Sequence, residues 1–223
     1  MDALSLLRAT FDPLGGRRLI DIGCGQGRLA GALAEDGARV TGVDPGTAAI
    51  AVARESVPGA RFEIASAERL PFADAAFEGA VLLNSLHHVP DPAAALREAA
   101  RVVGPGRAVV VIEPLAEGSA FAALRPIEDE TAIRAGAQAA VDAALAGGAL
   151  TRTRDAVFER RERVAGLDGF LDRVRAVDPA RDAAIRANGP AIAAAFAAAA
   201  MREPDGRLVL VQPLRAQVLV AAG

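Results

Sequence analysis

Short apolar runs, each closed by glycine or an acid, alternate along this chain with stretches of helical spacing. Leu19, Ile20 and Ile22 lead into Gly23, Gly25 and Gly27, and Leu29 and Leu33 follow four residues apart. That order predicts a buried strand, a glycine turn and a helix. Gly37 stops the helix, and 38–44 (ARVTGVD) predicts a second strand ending in an acid. Ile50, Ala53 and Val57 share one face of a helix over 47–56, which Pro58-Gly59 ends. Residues 60–65 alternate as a third strand, and 77–84 (FEGAVLLN) read as a central fourth. Asp91 caps a helix that Pro92 opens, with Leu96, Ala99, Ala100 and Val103 on its apolar face. A Gly104-Pro105-Gly106 turn then leads to a fifth strand, 107–113 (RAVVVIE). Strand–helix alternation of this kind predicts a parallel sheet with right-handed crossovers.

The flanks are less regular. Residues 3–9 predict a short amphipathic helix near the mouth of the ligand site, broken by Pro13, Gly15 and Gly16. After Pro114 the pattern changes. Residues 115–154 read as an insertion between the fifth and sixth strands, with an alanine-rich helix over 128–146 that opens on Glu128-Asp129-Glu130. It is either a lid or a cover for the sheet edge, its acids favouring the helix N-terminus. A half-exposed sixth strand is expected over 156–164 and helices over 167–176 and 179–187. An alanine-rich helix then ends near Met201. The terminal strand or strand pair, 208–211 and 214–220, is divided by Pro213.

Composition narrows the class. The chain has 223 residues, enough for one α/β domain with an insertion, and 52% are hydrophobic, which excludes general disorder. A net charge of −3 gives no electrostatic case for a nucleic-acid partner. No apolar run is long enough to span a bilayer, and the N-terminus lacks the pattern of a signal peptide. Cys24 is the only cysteine, so no internal disulfide forms and a cytoplasmic setting is expected. Lysine is absent and alanine abundant, as in the proteins of GC-rich bacteria. A small-molecule partner is expected, and a homodimer is an arrangement open to the chain.

The candidate chemistry begins in the first glycine loop, Asp21-Ile22-Gly23-Cys24-Gly25-Gln26-Gly27. Glycine admits a ligand where a Cβ would clash, and the helix behind it offers free N–H groups to an anion. A dinucleotide fingerprint would need glycine at 28, where this chain has Arg28. Asp44 closes the second strand about 20 residues on, where an acid accepts both hydroxyls of a ribose, and Pro45 follows it.

The Asp-x-Gly-x-Gly-x-Gly loop resembles motif I of the class I S-adenosylmethionine-dependent methyltransferases. The segment Leu86-His87-His88-Val89-Pro90-Asp91-Pro92, the helix after it, Gly104-Pro105-Gly106-Arg107 and the apolar strand extend the likeness. Together they are similar to the ubiquinone/menaquinone C-methyltransferase-like set, the type 11 group, over 17–114. The resemblance implies a single domain over 1–223: a cofactor half at 17–114, a helical cap at 115–154, and C-terminal strands and helices at 155–223. The implied fold is α/β and Rossmann-like, a seven-stranded, mostly parallel sheet with one antiparallel strand and helices on both faces. It implies S-adenosylmethionine as cofactor. Asp21, Gly23, Cys24, Gly25 and Gly27 would surround its methionine part, and Asp44 and Pro45 its ribose. Ser66, Ala67 and Glu68 would meet its adenine, and Asn84 would lie beside them. In the family, position 66 is an acid that contacts the adenine amino group, and the next backbone N–H contacts the ring. Ser66 offers a hydroxyl there, an acceptor without charge.

Such an enzyme chiefly positions a small-molecule acceptor in line with the activated methyl group, and no metal is expected. His87 and His88, the only histidines, are candidate general bases or else shape their loop. Arg125 and Arg215 are candidates to hold an anionic group of the acceptor, unless each pairs with a neighbouring acid. Two other readings stand beside this one. A non-catalytic S-adenosylmethionine-binding partner subunit fits the Ser66 departure, and a nicotinamide oxidoreductase is disfavoured by Arg28.

Overall fold

The computed structural model describes residues Asp2–Ala222; Met1 and Gly223, the ends of the expected domain, lie outside the described residues. The first part of the chain gives α1 (Ala3–Thr10), β1 (Arg18–Ile22), α2 (Arg28–Glu35), β2 (Arg39–Asp44), α3 (Thr47–Ser56), β3 (Arg61–Ile64), β4 (Gly79–Leu83), α4 (Pro92–Val103) and β5 (Ala108–Pro114). The second gives α5 (Ser119–Leu124), α6 (Thr131–Ala146), β6 (Leu150–Val164), α7 (Leu167–Val177), α8 (Asp182–Ala187), α9 (Gly189–Ala199), β7 (Met201–Arg202) and β8 (Leu208–Ala221).

The sheet order is β3-β2-β1-β4-β5-β8-β6, with the two-residue β7 paired to β8. The pairs β1–β2, β1–β4, β2–β3 and β4–β5 are parallel. Against β5, Ala221 N–H donates to the Arg107 carbonyl and Leu115 N–H to the Pro213 carbonyl, each at 3.0 Å. Rising numbers on one strand therefore meet falling numbers on the other, so β8 is the antiparallel strand. β1, β4 and β5 are buried almost throughout, as parallel strands covered on both faces must be. The helix over 92–103 starts as expected: Asp91 accepts the Ala94 N–H at 2.9 Å, and Pro92 takes the first turn. A cap of this kind is worth about 1 kcal/mol.

Two compact units divide the described residues. One contains the chain through Glu113, then Gly136–Val157, then the end from Arg215; the other contains Pro114–Ala135 and Phe158–Leu214. The division first falls at Pro114, and α6 and β6 each pass from one unit to the other.

The core of the first unit is built on Ile20, Ile22, Leu82, Val109 and Val111 of the strands, with Leu96, Ala99 and Val103 of α4 packed among them. Helix α1 corrects an expectation. Phe11, just after it, is buried against Gly79 at the start of β4, where a Cβ on Gly79 would sit 2.3 Å from the ring. Arg8 forks onto Asp36, between α2 and β2, at 2.7 and 2.9 Å. Both contacts are at the amino ends of the parallel strands, the opposite end from the glycine loop. Leu6 and Leu7 provide the reason, since an apolar stripe is buried wherever the sheet end is open.

The second unit has its own core of Ile127, Val164, Phe170, Val174, Ile192 and Phe196. Here the helix expected over 128–146 starts later, at Thr131. Asp129 accepts the Thr131 N–H at 3.1 Å, and Glu130 turns inward between Arg134 and Arg181, each at 2.8 Å. The sixth strand starts earlier than expected, at Leu150. Pro213 does not divide β8. Its missing N–H leaves the Leu115 carbonyl without its ladder donor, and the Gln212 and Arg134 side chains donate to that oxygen at 2.9 Å each.

Candidate active site

In the first unit the expected cofactor residues gather at the carboxyl ends of the parallel strands. Asp21 lies near the end of β1, and Gly23 to Gly27 follow it. Asp44 and Pro45 end β2, Ser66 to Glu68 follow β3, and Asn84 follows β4. Gly23 and Cys24 N–H both donate to the Val43 carbonyl, at 2.8 and 3.0 Å, which folds the loop back over β2. Gly23 (φ +75°) and Gly27 (φ +80°) are demanded by the protein's own packing. Their Cβ atoms would lie 2.4 Å from Ser85 and 2.7 Å from Phe62. Gly25 alone of the three faces open space, so it is the position where a ligand can reach the backbone.

Asp44 binds the loop with both carboxylate oxygens. Oδ2 accepts the Gly25 N–H at 2.9 Å and Oδ1 the Gly46 N–H at 2.8 Å. A carboxylate has about four acceptor positions, so each oxygen keeps one for a hydroxyl group.

The chain leaves β1 for β2 and β3 on one side and for β4 on the other. The crevice beyond β1 and β4 is therefore the topological switch point, where open α/β sheets bind their ligands. Two buried oxygens there have no partner, Asp21 Oδ2 and Asn84 Oδ1. Burial pushes the Asp21 carboxyl up to about 7; nearby Asp44 adds to the rise and the Ala30 N–H opposes it. Asn84 is held in the left-handed region at φ +53°, and its own N–H donates to the Ile112 carbonyl at 2.8 Å. Unsatisfied buried acceptors are costly, and their presence at a switch point marks a place built for a donor.

The family model described as a methyltransferase domain matches residues 20–111. A ubiquinone biosynthesis O-methyltransferase of Alkalilimnicola ehrlichii is 43% identical over 102 residues, 44% of this chain and 41% of that protein. A demethylmenaquinone methyltransferase of Beutenbergia cavernae is 38% identical over 109 residues, 48% of this chain and 45% of that protein. The matches thus span less than half the length of these curated relatives. The fold is shared more widely. The crystal structure of a Bacillus halodurans C-125 protein, described as a candidate methyltransferase, aligns over 100% of this chain and 99% of its own at TM-score 0.70 and 19% identity.

Within the matched segment the histidine pair lies on a 3₁₀ turn, Leu86–His88, directly after the Asn84 kink. His87 is buried and its Nδ1 bonds to Oε2 of Glu113, the acid at the end of β5. Glu113 is itself buried and anchors the turn, accepting the Ser85 and Leu86 N–H groups at 2.9 Å and the His87 N–H at 3.3 Å. An acceptor of three N–H groups sets the ring so that Nδ1 donates and Nε2 remains as the basic nitrogen. Ser85 Oγ donates to the Ile22 carbonyl at 2.8 Å, tying the turn to the end of β1. His88 is exposed, its ring centre 3.9 Å from that of His87. Sequence reasoning passed over Glu113. Its signal was an acid closing an otherwise apolar buried strand, where a carboxylate needs a polar partner.

Burial, with the nearby acids Asp21 and Asp44, raises the Cys24 thiol pKa well above the ordinary range, which disfavours the thiolate. The two candidate arginines lie in different units. Arg125 is exposed and pairs with Asp129 at 3.1 Å. Arg215 forks onto Asp155 at 2.9 and 2.6 Å and reaches Gln138 at 3.1 Å, holding the Asp155 carboxyl below its ordinary range.

Proposed function

We propose that the chain transfers the methyl group of S-adenosylmethionine to a small-molecule acceptor in the bacterial cytoplasm. The observation that carries this reading is the set of acceptors at the strand ends of a methyltransferase-family domain. Asp21 Oδ2 and Asn84 Oδ1 are unpaired, and Asp44 keeps one free position on each oxygen. These residues fit the cofactor. Asp21 and Asn84 would face its cationic methionine end, Gly25 would give it room beside the backbone, and Asp44 would take the ribose hydroxyls. When bound, the cofactor supplies a methyl group already activated by a sulfonium. The chain then has only to hold an acceptor in line and manage its proton.

His87 supplies that proton chemistry. Glu113 fixes the ring through Nδ1, which supports a role for Nε2 in taking a proton from an acceptor hydroxyl. Two charged groups compete for any acceptor anion. Arg125 or Arg215 could hold one only by exchanging its present carboxylate partner, a weaker arrangement than an unpaired guanidinium. Calorimetry with S-adenosylmethionine and S-adenosylhomocysteine is the first test, with NAD as the control. Binding of NAD in place of the two sulfur compounds would reverse the assignment. Methyl transfer is then assayed by mass spectrometry on hydroxylated aromatic acceptors. The curated relatives motivate that choice, one being named an O-methyltransferase of ubiquinone biosynthesis.

A further inference from the structure

Strand β6 is the last in the sheet order, so one of its edges meets no other strand among the described residues. It runs over 15 residues, Leu150–Val164, where about five or six is usual. Only its two end residues are buried, and Val157 near the middle is 58% exposed. An open edge is a template for a further strand, and proteins guard such edges with charge. Residues 152–163 of β6 are guarded in this way, and the order of their charges is selective.

Hydrogen-bonded and non-hydrogen-bonded residue pairs alternate along an antiparallel strand pair. Two copies of one strand related by a two-fold axis therefore keep that axis on a residue that faces its own copy. Residues equally far on either side of the axis then oppose each other on the same face of the sheet. An axis at 154, 155, 159, 160 or 161 sets a charge against itself. At 153, Arg152 would oppose Arg154, and at 156 it would oppose Arg160. At 157, Asp155 would oppose Glu159 and Arg154 would oppose Arg160. At Phe158 no like charges meet. There Asp155 opposes Arg161 and Arg154 opposes Glu162, and the two-fold axis repeats each contact.

We propose that the chain forms a two-fold dimer in which β6 pairs antiparallel with β6 of a second copy, Phe158 facing Phe158. The charges keep sites for the second copy. Arg161 is 52% exposed in its 3.2 Å pair with Glu203, and a guanidinium has five donors. Glu162 gives Oε1 to Arg160 at 2.6 Å, and Asp155 meets Arg152 at 2.9 Å and Arg215 at 2.6 Å, both acids at the partly exposed surface. The edge thus refuses most strands and accepts its own copy in one register. The pairing does not depend on the identity of the ligand at the strand ends.

The test is sedimentation velocity of the full chain over a range of concentrations, where wild type should dimerise. Glu162→Arg sets Arg154 against a like charge at both contacts and should weaken the dimer about tenfold or more. Arg154→Glu should do the same, and the double variant Arg154→Glu/Glu162→Arg should regain wild-type association. Within one copy these positions are eight residues apart on an extended strand, roughly 27 Å, so no contact inside a chain produces that rescue. Phe158→Cys reads the register without relying on charge, on a variant that circular dichroism shows to be folded. Opposed residues lie about 4.5–5.5 Å apart at Cα, within disulfide reach. With diamide as oxidant Phe158→Cys should link into a dimer. Ala156→Cys, whose thiols would be roughly 14 Å apart along the strand, should not, nor should wild type with its single Cys24. A chain that stays monomeric at every concentration, charge variants without rescue, or equal linking at 156 and 158 would overturn the proposal. Growth beyond two copies would also overturn it, because a two-fold axis closes the pair.

Discussion

Replacing Asp21 by asparagine should flatten a pH dependence that this one buried carboxyl imposes on stability. The group is almost wholly buried and lacks a partner for Oδ2, and burial raises it from its ordinary 3.8 to about 7. The folded chain therefore keeps this proton in a range where the unfolded chain has released it. The stabilisation is complete below pH 3.8 and is lost as the pH rises through 7, since the folded state binds more protons over that window. At about 1.4 kcal/mol per pH unit, the window from 3.8 to 7 corresponds to about 4 kcal/mol. The asparagine of the Asp21→Asn variant cannot titrate. Its amide leaves a polar group unpaired at a cost of about 1–3 kcal/mol, the same at every pH. Urea unfolding of both proteins from pH 4 to 8 at fixed ionic strength, followed by circular dichroism, gives the difference directly. Other titrating groups are common to both and cancel. The wild type should lose about 4 kcal/mol relative to the variant between the two ends of the range. A difference that does not change with pH would mean that water or a neighbouring donor solvates Asp21, and the reasoning from burial would be wrong.

Asp44→Ala should weaken S-adenosylhomocysteine binding by about 1.5–3 kcal/mol, the value of hydrogen bonds to a charged acceptor, read by calorimetry on a variant shown to be folded. Glu113→Gln should lower turnover and shift its pH profile while leaving cofactor affinity within about twofold, and His87→Gln should lose turnover with cofactor affinity retained. Equal turnover in wild type and His87→Gln at several pH values would assign the turn a structural role alone. Cys24 should resist iodoacetamide at pH 8 in the native chain and react once urea unfolds it, as mass spectrometry would show. Glu130→Ala should cost about 3–5 kcal/mol of stability, because it leaves Arg134 buried without its carboxylate.

The sequence by itself determined the parallel half of the sheet and which residues stand at its strand ends. Local rules suffice there. Apolar runs of strand length, closed by glycine or an acid and followed by helical spacing, leave one economical topology, and Asp44 and the glycine loop lie at its strand ends by construction. What only the tertiary structure decided were contacts between residues far apart in the chain. Phe11 fills the space over Gly79 at the far end of the sheet, so α1 belongs there and not beside the glycine loop. Pro213 stays inside a strand because Gln212 and Arg134, the latter 79 positions earlier, replace its missing donor. Glu113 meets His87 across 26 residues, a pairing that no periodicity encodes. Ser66 looks like a lost charge in the sequence, and only its hydrogen bond to Glu68 shows where its proton points. Periodicity reports which side of an element is buried. Which group a buried polar atom meets depends on how separate segments pack, and that is set by the folded chain as a whole.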